Sequence, residues 1–174
     1  MVHGRHQRQL KRINKHNIEI EATNAFGTGE HPTTAGCLLA LQFMAQQKTF
    51  TNGLDLGCGS AVLALAAAKL CRIKMLAVDN DEEAVAVARA HVHINGLQHY
   101  ITLAVSEGYK AAIVRKRKPY DLILANIFAR PLALLAPQTY RHLAQGGVAI
   151  VSGLLTTQEA QVIAAHRQQK LRLL

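Results

Sequence analysis

The chain has no tryptophan, and four phenylalanines and four tyrosines are few for 174 residues. Its core must be aliphatic, and its basic segments carry no interleaved aromatics on which bases could stack. Four prolines and twelve glycines rule out a collagen-like or proline-rich disordered chain. Cys37, Cys58 and Cys71 are odd in number and scattered, so they make no disulfide framework and fit a reducing compartment. No Cys/His spacing matches a zinc site, and His91 and His93, two apart on a helix, point to different faces. No metal is expected. The richest apolar run, 61–68, closes at Lys69 and is too short to cross a bilayer. The first sixteen residues are polar and basic, without the apolar stretch of a signal peptide. The expectation is a cytoplasmic protein with no membrane partner.

Acids are the other scarcity. Eleven Asp and Glu stand against twenty Lys and Arg, a net charge of +9. The excess gathers in Arg5, Arg8, Lys11, Arg12 and Lys15, and again in Arg115, Lys116, Arg117 and Lys118. On its own the excess favours two solvated surface segments over the functional alternative, weak contact with RNA or a ribosome surface; charge alone does not decide.

What is present is a regular alternation. Residues 18–20 alternate like a short strand, a Gly/Thr-rich loop covers 26–34, and an apolar helical stretch runs over 35–44. Strands are expected at 54–56, 75–78, 101–105, 121–125 and 148–151. Helices are expected at 62–70, 81–94, from Pro131 onward, and at 158–166, with Asn95-Gly96 closing the second. Strand–helix alternation at this spacing implies parallel pairing with right-handed crossovers, an α/β doubly wound, Rossmann-like sheet. Residues 1–20 read as a basic segment leading into one domain, 21–174.

Ligands of such sheets sit beyond the carboxyl ends of the strands, where three informative segments fall. DLGCGS (55–60) turns a strand into a helix, and Gly57 and Gly59 let backbone approach a ligand. The third glycine of a dinucleotide site is absent, Val62 standing there, and no Gly-Lys-Ser/Thr ends the turn. That suits a nucleoside without a pyrophosphate. An ordinary turn is the bland alternative. Asp79 ends the second strand about 20 residues on, where a carboxylate accepts both ribose hydroxyls. Capping the next helix is its alternative role, one that Asn80 and Asp81 can equally fill. Asn126 ends the fourth strand, and its amide oxygen can orient an amine toward an electrophilic methyl. A plain turn asparagine is the alternative. Cys58 reads as a small residue in a turn, and no triad accompanies it.

With AFGTGEHPTT (25–34), DLGCGS (55–60), ANIFARP (125–131) and VAIVSGLL (148–155) in that order, the chain resembles the ribosomal protein L11 methyltransferase family. The glycine turn is widespread among methyltransferases; the AFGTGEHPTT loop is much more specific. The resemblance implies a class I methyltransferase fold and S-adenosyl-L-methionine as cofactor. It further implies methylation of the α-amine and lysine ε-amines of a large-subunit ribosomal protein. It carries cofactor contacts onto Thr34, Gly57, Asp79 and Asn126, with Phe26 against the cofactor and Gly59 and Asn80 beside it. Three departures stand out. Ala61 replaces a usual glycine, with the expectation that it crowds the methionine end of the cofactor. Phe128 replaces a usual leucine in the acceptor pocket. The family's N-terminal substrate domain and last strand pair are not represented, which predicts an exposed sheet edge, lower stability or self-association. Two other readings stay open: a non-catalytic relic, and a basic RNA-binding module that keeps the fold.

Overall fold

The computed structural model describes residues 2–4, 17–20 and 31–174. A small parallel pair joins β1 (Val2–Gly4) to β2 (Ile18–Ile20). The main domain then runs α1 (Pro32–Gln47), β3 (Asn52–Leu56), α2 (Val62–Cys71), β4 (Lys74–Asp79), α3 (Glu82–Ile94), β5 (Ile101–Val105), α4 (Ala112–Arg117), β6 (Tyr120–Asn126), α5 (Ala129–His142), β7 (Leu143–Ser152) and α6 (Glu159–Gln168). The main sheet has the order β5-β4-β3-β6-β7, with every pair parallel. This is the expected α/β architecture. The order reverses between β3 and β6, and a crevice opens at such a switch point beyond the carboxyl ends of the strands.

Two apolar cores sandwich the sheet. One packs α1 and the alanine-rich α2 over Met75, Ala77, Leu122 and Leu124. The other gathers Leu54, Leu76, Val78, Tyr120 and Ile123 with residues of α4, α5 and α6. Central strands buried on both faces explain why their sequences are near-continuous apolar runs rather than alternating ones.

The structure adds three features to the expected elements. α4 forms within the basic cluster and buries only Val114. β7 begins at Leu143 and keeps Gly146-Gly147 inside an irregular stretch of its pairing with β6, where a turn ahead of the strand was expected. Residues 18–20 do more than lead into the domain: Ile18 and Ile20 belong to the first core, and Asn95 brackets the backbone between them. The Asn95 side chain accepts from the Glu19 N–H at 3.0 Å and donates to the Glu19 carbonyl at 2.7 Å. One side-chain amide thus substitutes for a neighbouring strand. Among the described residues no helix is long and apolar enough to cross a membrane, and no His/Cys/Asp/Glu group can hold a metal. His91 is buried while His93 is exposed, as a spacing of two on a helix requires.

Candidate functional site

The turn after β3 is built from left-handed backbone. Gly57, Gly59 and Ala61 have φ of 63°, 50° and 61°. Only glycine enters this region at no steric cost. At Gly57 a Cβ would also stand 2.4 Å from Ile127 Cγ2. The Cys58 N–H donates to the Val78 carbonyl at 3.0 Å and the Gly59 N–H to Asp79 Oδ2 at 2.8 Å, so β4 holds the turn. Cys58 is buried and burial pushes its thiol up, which disfavours the thiolate a nucleophile needs.

The residue ahead of helix α2 is Ala61, whose side chain cannot cap it. The cap comes instead from Asp55, inside β3, whose Oδ2 accepts from the Ala64 N–H at 3.0 Å. Asp55 is buried and its carboxyl is pushed up to about 7; burial raises it most, the Ala64 bond opposes, and the nearby Asp79 charge adds to the rise. The sequence offered a signal for this role, an acid two residues ahead of the glycine turn, but not its partner. Ala61 itself is fully buried in the first core and is not among the residues that line the cleft.

Asp79 ends β4, with Oδ2 accepting from Gly59 and Oδ1 from the Asp81 N–H at 3.1 Å. Asp81, not Asp79, caps α3, accepting from the Glu83 N–H at 2.9 Å. Each Asp79 oxygen keeps a second lone pair for a ligand hydroxyl. Asn80 is exposed at the same strand end, on the wall of the cleft.

Asn126 ends β6, facing Thr34 near the start of α1. Its Nδ2 donates to Thr34 Oγ1 at 3.0 Å, a contact across 92 residues of sequence. Its Oδ1 is buried and has no hydrogen-bond partner among the described residues. Ile127, the next residue, is pinned from two sides. Its side chain lies over Gly57, and its backbone lies where a Cβ on Gly153 (φ 88°) would stand 2.5 Å from its carbonyl oxygen. Gly153 was not singled out in sequence, although a glycine directly after a strand was its available signal.

These pieces surround one cleft of about 1590 Å³. Thr34, Gly57, Gly59, Asp79, Asn80 and Asn126 all line it, while Phe26 lies outside the described residues. The wall beside α3 carries Asp81 and Glu83 next to Asp79, so the field at that end favours a cationic ligand, while after β5 Glu107 is paired with Lys110 at 2.7 Å and Arg115 also lines the cleft. The opposite lip exposes Phe128, Leu134 and Leu155.

A parallel sheet reversing at β3 and β6, a glycine turn and a strand-end acid define the architecture of class I S-adenosylmethionine-dependent methyltransferases. A solved ribosomal protein L11 methylase from Lactobacillus delbrueckii subsp. bulgaricus has this fold, with a TM-score of 0.78 and 25% identity over 97% of this chain and 82% of that one. The chain belongs to the ribosomal protein L11 methyltransferase (PrmA) family, whose profile matches residues 1–174. It is 48% identical over 171 residues to the ribosomal protein L11 methyltransferase of Chelativorans sp., and 46% identical over 171 residues to that of Agrobacterium fabrum. Each alignment covers 98% of this chain and 59% of the relative, so the chain spans about three-fifths of these relatives' length.

Proposed function

We propose that the chain is the catalytic domain of an S-adenosyl-L-methionine-dependent methyltransferase acting on protein amines, with ribosomal protein L11 as acceptor. The observation that carries this reading is Asn126 Oδ1, a buried acceptor at the carboxyl end of β6 left without a partner among the described residues. An unmade hydrogen bond there costs about 1–3 kcal/mol, which an N–H donor in the cleft recovers. An acceptor amine is such a donor.

The residues present fit the cofactor. The left-handed backbone of Gly57 and Gly59 turns the chain along the cleft, the spare lone pairs of Asp79 suit two ribose hydroxyls, and Asp79, Asp81 and Glu83 on the lining suit a cation. When bound, S-adenosyl-L-methionine supplies a methyl group already activated on a sulfonium. Everything else falls to this chain. Thr34 holds the amide nitrogen of Asn126, which leaves the oxygen to accept an N–H of the amine and aim its lone pair inward. The packing of Gly57 and Gly153 on Ile127 keeps that backbone from shifting. No strong base is required, only a neutral amine.

The test is transfer of a tritiated methyl group to purified L11. The reading expects sustained transfer, and Asn126→Ala is expected to lower kcat by about 100-fold while cofactor affinity changes only a few-fold. Absence of transfer by the folded chain would favour the relic. Equal rates for parent and variant would remove Asn126 from its role.

A further inference from the structure

In a parallel α/β domain every strand starts at one end of the sheet and every following helix returns there. Here that end collects cations. Lys48 precedes β3, Arg72 and Lys74 flank the start of β4, residues 115–118 precede β6, and Arg141 precedes β7. Helix α6 delivers a further group at 167, 170 and 172. Tyr120 and Leu143 are register partners, which brings the ends of α4 and α5, with Lys118 and Arg141, to the same end of the sheet. His142 feels both: burial holds its pKa down most, and the charges of Lys118, Arg115 and Arg141 add to that, against the Gln138 carbonyl.

The acids lie at the other end. Asp79 ends β4 and 81–83 follow it, Glu107 follows β5, and Glu159 follows β7. Among the described residues, the carboxylates near the cationic end are Asp121 and Glu19. Asp121 accepts from the Thr51 N–H and hydroxyl and the Asn52 N–H. Glu19 is buried, and its charge acts on Lys69.

The bland reading is that these cations complement helix C-termini. Each terminus is worth about half a negative charge, and six helices supply about three. The residues at this end carry more than twice that, so a large positive surplus remains after the dipoles and Asp121 are counted. Arg72, Lys74, Lys116, Lys118, Arg141, Arg167, Lys170 and Arg172 are exposed. The surplus spreads across a five-stranded sheet, about 20 Å wide at the usual strand spacing, with no single focus. A field of that shape suits a uniformly charged polymer better than a compact anion.

We propose that this end of the sheet is an RNA-docking face that grips phosphates without reading bases. β6 is seven residues long, which puts its start, next to Lys118, about 20 Å from Asn126 at its other end. Arg115 and His142 also line the cleft, so face and cleft approach each other there, while RNA held on Lys116, Lys118 and Arg141 leaves the strand ends at Asp79 and Asn126 open. The proposal does not rest on the methyltransferase reading.

The experiment is fluorescence anisotropy of a labelled RNA hairpin titrated with the full chain from 50 to 200 mM KCl. About four phosphate contacts give a log–log slope near −3, an affinity loss of about 60-fold across that range. The variant Lys116→Gln/Lys118→Gln/Arg141→Gln is expected to bind at least tenfold more weakly at low salt, with a shallower slope and an unchanged urea midpoint. Calorimetry is expected to give the same S-adenosyl-L-methionine affinity with and without the hairpin. RNA binding that the variant retains in full would overturn the proposal by assigning it to other basic residues. So would polyglutamate competing as well as unlabelled hairpin, or hairpin blocking the cofactor.

Discussion

Two neighbouring residues share a backbone conformation but differ in side chain, which allows their energetics to be separated. Gly57 and Ala61 both lie near φ +60°. For an L side chain that region costs about 1–2 kcal/mol. Gly57→Ala incurs this cost and must also displace Ile127, whose Cγ2 is 2.4 Å from the new Cβ; forcing that side chain off its rotamer adds about 1 kcal/mol. The restricted unfolded chain returns about 0.5–1 kcal/mol. The net loss is roughly 2 kcal/mol, or about 4–8 °C in Tm for a domain of this size. Ala61→Gly does the reverse. It relieves the left-handed strain, but gives up a buried methyl worth about 0.8 kcal/mol and adds unfolded-state entropy. These terms cancel to within about 0.5 kcal/mol. Urea unfolding of both variants, with m held constant, reads the contrast directly. The reasoning fails if Gly57→Ala matches the parent, or if Ala61→Gly loses 2 kcal/mol or more.

Asp55 makes stability depend on pH. Its folded pKa is raised to about 7, so the folded chain binds the proton more tightly than the unfolded one. Stability is therefore expected to fall as pH rises from about 4 to about 7, and to level off above that range. Asp55→Asn keeps an acceptor for the Ala64 N–H and removes this slope. His142, held below its ordinary value, contributes the opposite trend, so the difference between parent and variant at pH 5 and at pH 8 is the quantity to measure. Asn95→Ala strips partners from the Glu19 N–H and carbonyl and from Lys69 Nζ. The expected loss is about 2–3 kcal/mol, with hydrogen-exchange protection lost first at 18–20.

Much of the fold was legible because parallel strands buried on both faces are short apolar runs, and helices returning over them are longer and alanine-rich. The turn at 57–60, the strand-end Asp79 and Asn126 were legible for the same reason: local pattern places them at strand ends. What local pattern does not carry is pairing across the chain. The bond between Asn126 and Thr34, the cap that Asp55 supplies to α2, and the bracket of Asn95 around Glu19 depend on how distant segments pack. Helix α4 was missed because six residues ending in three cations show no amphipathic period. The glycines at 146–147 looked like a turn, yet the sheet accommodates them as an irregularity in β7. The φ of 61° at Ala61 was not legible, because an alanine in sequence does not disclose a left-handed conformation.

The cleft is central to this account, and calorimetric titration of S-adenosyl-L-methionine into the chain tests it most directly, with Asp79→Ala as control. The account predicts one site per chain, weakened by about 50-fold or more when Asp79 is removed, since two hydrogen bonds to a charged acceptor are lost. Equal binding by parent and variant, or no binding by the folded parent, would contradict it.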